Sequence, residues 1–562
     1  MRYFDLGSHG RPVTTTSAEA QEWFDRGLNW TYAFNHEEAV RCFEAAAAAD
    51  PGCAMADWGA AYALGPNYNK PWDAFDEREL GRSAERAHAA VRRAHAKAAG
   101  ATPVEQALID ALQARYPRAG APDAGDRPVW NAAYADSMRA VHESAPDDLD
   151  VAALYADALM NLTPWRLWDI RTGSPAPGSR TTEARAVLER AVGTEEGARH
   201  PGLLHLYIHL MEMSPTPETA LPAADRLRGL VPDAGHLQHM PSHLEAVCGD
   251  YRRVVSDNTA AIAADEKFRA TAGAMNFYTL YRCHNYHFKI YGAMFLGRFR
   301  DALETAERLE AAVPEELLRV TSPPMADWLE GFLAMRVHVL VRFGRWDDIL
   351  ELPMPADTRL YCVTTAMLRY ARGVALSATG RTGEAETERE LFRAAAARVP
   401  ESRTLFNNTC TDILAIAARM LDGELAYRKG EYETAFAALR RSIALDDGLP
   451  YDEPWGWMQP TRHAYGALLL EQGLVAEAEA VYRADLGLDD TLPRPLQHPG
   501  NVWALHGLHE CLSRLGKDGE ARLVARQLKV AAALADVPVE ASCCCRLETA
   551  GHDCRCGPGA TP

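Results

Sequence analysis

The stretch W-F-D-R-G-L-N-W-T-Y-A-F-N-H-E-E-A-V-R-C-F-E-A-A-A-A-A-D-P, residues 23–51, determines the fold. Gly27 and Trp30 share one face of a predicted helix, and apolar residues return at helical spacing after a turn near Asn35. Small residues let two antiparallel helices approach closely, and aromatic residues fill the space to the next pair. Pro51 ends the second helix because it lacks the backbone N–H that a helix needs. The stretch therefore predicts an antiparallel helix pair.

The same pattern of glycine, aromatic and alanine residues returns at a period of about 34 residues, the spacing of helix-turn-helix solenoids. The clearest further copies are Gly297 to Pro314, Gly373 to Ala385, Gly423 to Ala435 and Gly466 to Tyr482. This pattern resembles the tetratricopeptide repeat (TPR) family. The resemblance implies an all-α, TPR-like α-solenoid, in which antiparallel helix pairs wind into a right-handed superhelix.

The chain divides into an arm, a repeat region and a tail. Residues 1–17 are predicted to form an N-terminal arm, and residues 18–535 one continuous superhelix, because solenoid units bury their cores only against neighbours. Glycine- and proline-rich stretches near 119–128 and 165–182 predict loops within it. Residues 536–562 hold few apolar side chains and predict a flexible, cysteine-rich tail.

Composition and charge exclude several classes of function. Lys and Arg number 59 against 77 Asp and Glu, which gives a formal charge of −18. This balance disfavours nucleic-acid and membrane partners, which call for a surplus of cations. The sequence has no apolar run of about 18 residues and no secretory signal pattern at its start. We expect a cytoplasmic protein, whose scattered single cysteines are buried in a reducing compartment.

Histidines are enriched in the centre of the chain, where 8 of the 19 lie between residues 200 and 287. Seven of them form three groups: His205 with His209; His236, His239 and His243; and His284 with His287. His205 and His209 are spaced i, i+4 on a predicted helix, so both share a face with Glu212. Pro241 fits the first position of the next helix, which places His243 in its first turn.

Neighbouring helices of a solenoid could bring these groups to one pocket. Neutral imidazoles at such spacing suit Zn, Cu or Fe, with Glu212 or Glu245 as an oxygen ligand, and they also suit acid–base catalysis. Two alternatives remain open, since the histidines could pack as ordinary core residues or line a groove for an acidic peptide. Leu206 stands where metalloprotease helices carry glutamate, so that hydrolytic mechanism is not supported. Whether the chain is an enzyme is left open.

The histidine segments extend the family resemblance. L-Y-I-H-L-M-E at 206–212, A-G-H-L-Q-H-M-P-S-H-L at 234–244 and C-H-N-Y-H-F at 283–288 resemble a subset of long bacterial TPR proteins. They are more distantly similar to the tetratricopeptide repeat protein 38 family. The resemblance implies a pocket but no particular reaction. It adds His36, Asn67 and Asn69 as candidate ligand-binding residues, although packing within a turn or capping of a loop explains them equally well.

Two further groups of side chains are candidates for binding. Trp455 and Trp457 lie in a proline- and glycine-punctuated connection, where they could face a groove or cap helix ends. The tail carries five thiols, which suit a soft ion such as Cu(I) or Zn that the tail could deliver to the histidines. Disordered or redox-active thiols are the alternatives. These cysteines are Cys543, Cys544, Cys545, Cys554 and Cys556.

The repeats favour one function over another. A TPR-type solenoid commonly holds a protein or peptide partner in its concave groove, so a scaffold or adaptor role is the first prediction. The alternative is a metal-binding protein or metal-dependent enzyme with a histidine-lined central pocket. The sequence contains no phosphate-binding loop, dinucleotide fingerprint or kinase motif, which disfavours nucleotide-driven enzymes.

Overall fold

The computed structural model describes residues 3–546. Cys554 and Cys556, predicted as metal ligands, lie outside the described residues. The chain forms two compact units, the first containing residues 1–244 and 257–285 and the second residues 245–256 and 286–562. The single continuous superhelix and the flexible tail stay predictions.

The first unit is built from helices that follow one another in antiparallel pairs. Eleven lie entirely within it: α1 (Ala18–Tyr32), α2 (His36–Ala49), α3 (Ala54–Ala63), α4 (Glu77–Lys97), α5 (Pro103–Arg115), α6 (Asp126–Ser144), α7 (Leu149–Met160), α8 (Thr181–Val192), α9 (Pro201–Met211), α10 (Leu221–Leu227) and α11 (Gly235–His239). The chain passes between the units within the next three: α12 (Pro241–Cys248), α13 (Tyr251–Ala272) and α14 (Thr279–Phe295).

The first helix pair shows why the repeat pattern produces this packing. Gly27 on α1 and Gly59 on α3 both face the ring of Phe43 on α2. A Cβ atom at Gly27 would lie 2.7 Å from that ring, and one at Gly59 would lie 2.5 Å from it. Only glycine therefore lets the three helices close around the aromatic side chain. The side chain of Asn35 accepts a hydrogen bond from the Glu38 N–H and caps the start of α2.

The second unit continues with the same type of helix pair. Its helices are α15 (Phe299–Ala312), α16 (Glu315–Leu318), α17 (Met325–Leu329), α18 (Met335–Arg342), α19 (Trp346–Glu351), α20 (Cys362–Ala378), α21 (Thr382–Ala396), α22 (Cys410–Arg428), α23 (Tyr432–Asp446), α24 (Thr461–Glu471), α25 (Val475–Asp485), α26 (Val502–Arg514) and α27 (Asp518–Ala532).

Glycines and one aromatic ring organise the second unit as they do the first. Gly466 on α24 and Gly507 on α26 enclose the ring of Tyr482 on α25, where added Cβ atoms would lie 2.5 Å and 2.3 Å from it. The turn between α22 and α23 contains Gly430 with a φ of 79°, a left-handed conformation that glycine adopts without steric cost. Both units thus consist of TPR-type helix pairs, and the predicted all-α, TPR-like fold is confirmed.

Strand structure in residues 3–546 is limited to two short antiparallel ladders. One joins β1 (Trp168–Asp169) to β2 (Ser174–Pro175), within the loop predicted near 165–182. The other joins β3 (Thr404–Leu405) to β4 (Asn408–Thr409). Among the described helices, none combines the length and apolarity needed to cross a bilayer.

Candidate metal centre

Six of the predicted histidines and one glutamate come together inside the first unit. We call these residues the histidine cluster: His205, His209, Glu212, His236, His239, His243 and His284. They come from α9 and its C-cap, from α11, from α12 and from α14. Each side chain is buried, and His284 is the most exposed of them at 6%. Residues separated by almost 80 positions in sequence therefore share one interior site.

Local sequence explains how these side chains come to face one another. His205 and His209 are one helical turn apart on α9, and Glu212 caps the end of that helix. Pro241 begins α12 directly after the short helix α11, as expected for a residue without an N–H. The rings of His239 and His243 meet across this junction, with their centroids 4.6 Å apart.

The first triad consists of His205, His209 and His236. Their candidate ligand atoms lie within 4.8 Å of one another. His205 Nε2 is 3.1 Å from His236 Nε2, while His205 Nδ1 donates to the carbonyl oxygen of Tyr32 at 2.6 Å. No described residue forms a hydrogen bond with His209 Nε2, although that atom is fully buried. The triad thus presents nitrogen atoms that its protein surroundings leave unused.

The second triad consists of His239, His243 and His284, with ligand atoms again within 4.8 Å. His239 Nε2 and His243 Nε2 are 2.6 Å apart. His239 Nδ1 donates to Asn258 Oδ1 at 2.8 Å, and Asn258 Nδ2 donates to Ser242 Oγ at 3.0 Å, which fixes the orientation of the amide.

Glu212 links the two triads through its two carboxylate oxygens. His209 Nδ1 donates to Oε1 at 3.1 Å, and His243 Nδ1 donates to Oε2 at 2.7 Å. Metal-bound histidines commonly donate their second ring N–H to a carboxylate or carbonyl group, which fixes the tautomer and raises ligand basicity. Glu212 therefore has the position of an outer partner that orients one imidazole of each triad.

The positions of the protons follow from these contacts. Carbonyl, amide and carboxylate oxygens only accept hydrogen bonds, so each Nδ1 that faces one carries a proton. A neutral imidazole has a single ring proton, and its Nε2 then presents a lone pair. Lone pairs therefore face each other between His239 and His243, and a lone pair of His205 faces His236. The two facing lone pairs of His239 and His243 repel unless a proton or a metal ion lies between them. By contrast, His236, whose Nδ1 has no hydrogen-bond partner among the described residues, can donate its own ring proton to His205.

Burial keeps the imidazoles in this neutral form. It lowers the pKa of His205 to about 3 and that of His239 to about 4. The pKa values of His209, His236 and His243 are also well below the usual value, first because of burial and then because of the neighbouring imidazoles. Neutral imidazole is the form that binds metal ions. The cluster is thus ready to act as a ligand set at neutral pH.

Aromatic rings enclose the cluster, and sequence reasoning missed them. Phe34 contacts His205 with a centroid distance of 4.4 Å and stacks on His209 and His236. Tyr68 contacts His209 at 4.9 Å. Phe34 has a φ of 55° in the turn before α2, a strained value for a residue with a bulky side chain. Later turns of the chain carry glycine at the corresponding position. The aromatic residue at this position was the signal by which the sequence could have identified Phe34.

A third group of possible metal ligands in the first unit differs from the two triads in which of its ring nitrogens carry protons. It comprises His9, Asp150 and His200. His200 Nδ1 accepts the N–H of Leu203 at 3.2 Å, so its Nε2 carries the proton and donates to Asp150 Oδ1 at 3.0 Å. Tyr32 and Arg11 also donate to this carboxylate. Burial raises its pKa, but the hydrogen bonds and charges of His200 and His9 outweigh that effect and hold the pKa well below the usual range. The group is a satisfied hydrogen-bond network rather than a ligand set.

Three residues implied by the resemblance lie in the first unit. His36 and Asn67 line a small cavity together with His205, with room for about one water molecule. Asn67 Oδ1 accepts the N–H groups of Asn69 and Lys70 at 2.9 Å and 2.8 Å. Asn67 thus caps a turn, and the binding of a ligand by His36, Asn67 or Asn69 stays a prediction.

The remaining predicted residues belong to the second unit. His287 Nε2 lies 2.8 Å from Met458 Sδ, so the structure does not place His287 in either triad. Glu245 also belongs to that unit. Trp455 donates to Asp446 Oδ1 at 3.0 Å, and the ring of Trp457 packs against His338. Both indoles are buried, and their ligand-binding role stays a prediction.

The described part of the cysteine-rich tail packs within the second unit. Cys545 is buried, and its N–H donates to Cys543 Sγ at 3.3 Å. Arg342 donates to the carbonyl oxygen of Ser542 at 3.1 Å. Among residues 3–546, the candidate three-ligand groups contain no cysteine. A metal role for Cys543, Cys544 and Cys545 stays a prediction.

Comparison with known proteins found no matching family model and no matching curated protein. Solved structures similar to the chain include the APC/C hetero-tetramer Cut9-Hcn1, 13% identical over 88% of this chain and 76% of that one, with a TM-score of 0.32. The P58(IPK) TPR domain is 13% identical over 89% and 99%, with a TM-score of 0.18. Ypp1 is 9% identical over 92% and 73%, with a TM-score of 0.28. The TPR-like fold itself follows from the helix pairs within each unit of this chain.

Proposed function

We propose that this protein binds a first-row transition metal in the histidine cluster. The observation that carries the proposal is the pairing of ring nitrogens that face each other at 2.6 Å and 3.1 Å. The opposite nitrogens of His205, His239 and His243 already donate to oxygen acceptors. A shared proton would relieve the His239–His243 pair, and the ring proton of His236 would join the other pair, but both would leave the buried Nε2 of His209 unused. Metal ions relieve all of these positions together.

The donor atoms select the class of ion. Imidazole nitrogen suits Zn, Cu, Fe and Ni, whereas Mg and Ca prefer carboxylate, carbonyl and water oxygens. Both oxygens of Glu212, the carboxylate of the cluster, accept N–H groups from its own imidazoles. The cluster therefore favours Zn, Cu or Fe over the hard divalent cations.

The test is the metal content of the purified chain. The protein, produced without a histidine tag in medium supplied with Zn, Cu and Fe, is analysed by mass spectrometry beside His239→Ala/His243→Ala. The buried His200→Ala is the matched control, since its ring donates to a carboxylate and caps the start of α9 without belonging to the histidine cluster. We expect stoichiometric metal in the wild type and the control, and a loss in the double variant. A wild type that stays free of metal after exposure to all three ions contradicts the proposal.

Other functional predictions remain separate from this one. Binding of a protein or peptide partner is favoured by the repeated helix pairs, and a pull-down with the metal-free chain tests it independently of the cluster. The expectation of no nucleic-acid or membrane partner rests chiefly on the formal charge of −18, and a cytoplasmic location stays a sequence-based expectation. None of these depends on metal binding.

A further inference from the structure

We infer that the histidine cluster is a dinuclear centre, in which each triad binds one ion and Glu212 joins the two halves as a shared outer partner. The inference rests on the proposed metal binding and adds the number of ions, their separate ligand sets and the role of the carboxylate. Nothing in the fold class requires it. It follows from the positions of individual nitrogen and oxygen atoms.

The first argument is that the two pairs of facing ring nitrogens lie in different places. The pair formed by His205 and His236 belongs to the first triad, and the pair formed by His239 and His243 belongs to the second. One ion at about 2.0–2.1 Å from each nitrogen would hold all four nitrogen atoms within about 4.2 Å of one another. The two pairs instead fall into separate ligand groups whose atoms lie within 4.8 Å only inside each group. Two ions relieve both pairs.

The second argument comes from the spacing of the rings. Within the second triad, the His284 ring is 4.4 Å from that of His239 and 5.6 Å from that of His243. Between the triads, the His209 ring is 5.5 Å from that of His243. Three imidazoles therefore surround each position, and the two positions are close neighbours. Three protein ligands also leave each ion an open coordination position, as in catalytic metal sites.

The competing arrangement is a single ion bound by His209 Nδ1, Glu212 and His243 Nδ1, three atoms that also lie close together. In that arrangement His209 would carry its proton on Nε2, a fully buried atom for which no described residue supplies an acceptor. A buried donor without a partner is costly. In the dinuclear arrangement the same Nε2 is a ligand, and Glu212 keeps both of its hydrogen bonds. The hydrogen bonding of His209 thus favours two ions, while His236 Nδ1 has no described hydrogen-bond partner in either arrangement.

Stoichiometry separates these outcomes. The protein is stripped with a chelator, reloaded separately with Zn²⁺, Co²⁺ and Cu²⁺, freed of excess metal and analysed for ions per chain. Two ions at saturation with at least one of these metals support the inference. One ion with every metal overturns the dinuclear centre but leaves the proposed metal binding intact. No ion with any metal overturns both.

Single substitutions then assign each ion to its triad. His209→Ala and His284→Ala should each retain one ion, while the matched control His200→Ala should retain two, with folding checked by circular dichroism. The doubly Cu²⁺-loaded wild type should show an electron paramagnetic resonance spectrum with spin–spin coupling, and both cluster variants an uncoupled one. An uncoupled spectrum from a wild type with two bound Cu²⁺ ions contradicts the shared centre.

The variant Glu212→Gln tests the role of the carboxylate while all six histidines stay in place. As an outer partner, Glu212 should be dispensable for stoichiometry, so the variant should still bind two ions with about 10–100-fold weaker affinity. If Glu212 is instead a ligand of one ion, the variant loses that ion. The second result would overturn the assignment of Glu212.

Discussion

Acidification should weaken the metal-free histidine cluster by an amount that its pKa values define. The pKa of His205 is lowered to about 3 and that of His239 to about 4, against 6.5 for an unburied imidazole. Between these values and 6.5 the unfolded chain binds protons that the folded chain does not, so stability falls as pH falls. Moving from pH 7 to pH 5.5 costs about 1.2 kcal/mol for each of these two histidines. The lowered pKa values of His209, His236 and His243 add to this loss, so the total is at least about 2.5 kcal/mol.

Hydrogen exchange can measure this loss locally, which matters because a chain with two compact units need not unfold in one step. After correction for the intrinsic pH dependence of exchange, a loss of at least about 2.5 kcal/mol predicts protection at least about 70-fold lower in α9 and α11. His205→Gln and His239→Gln should each reduce the loss by about 1.2 kcal/mol. The long helix α4 has no place in the cluster and provides the internal reference. Equal protection of α9 and α11 at both pH values would refute the reasoning.

Further predictions address packing, the tail and the outer hydrogen bonds. Gly27→Ala should lower stability by about 1–3 kcal/mol, because its Cβ would overlap the Phe43 ring, while Gly81→Ala, which meets open space within α4, should be neutral or stabilising in the same thermal melts. Truncation after Ala541 removes the contacts that Arg342 and Arg428 make with Ser542 and Cys545. Hydrogen exchange should therefore accelerate in α18 and α22 but not in α9. Unchanged exchange in α18 and α22 would count against the packing of the tail on these helices. Asn258→Ala removes the acceptor of His239 Nδ1 and should weaken metal affinity about 10–100-fold without changing stoichiometry, as measured by competition with a chromophoric chelator. An unchanged affinity there would show that Asn258 does not orient the ligand.

Local patterns in the sequence predicted the helix pairs and part of the site. Gly27 and the turn at Asn35 define a repeat because close helix approach and helix capping depend on nearby residues. The same locality placed His205, His209 and Glu212 on one side of α9. These patterns do not predict the tertiary environment, which determines the hydrogen-bond partner of each ring nitrogen.

Contacts between distant segments explain what the sequence did not reveal. Asn258 and the carbonyl oxygen of Tyr32 set the tautomers of His239 and His205, yet neither has any local signature of an outer partner. His287 lies three residues after His284, a spacing that places both on one helix face, but its ring nitrogen contacts Met458 in the second unit. Helical spacing identifies which residues share a face, whereas tertiary packing determines what that face meets.

The most direct measurement is the anomalous scattering of crystals loaded with zinc or copper, recorded on both sides of the metal absorption edge. Two separate peaks are expected in the first unit, one among His205, His209 and His236 and the other among His239, His243 and His284. Glu212 should lie beside both peaks and bind neither ion. Crystals of the loaded protein without a peak at these residues, or with one peak held by the Glu212 carboxylate, would contradict the dinuclear centre.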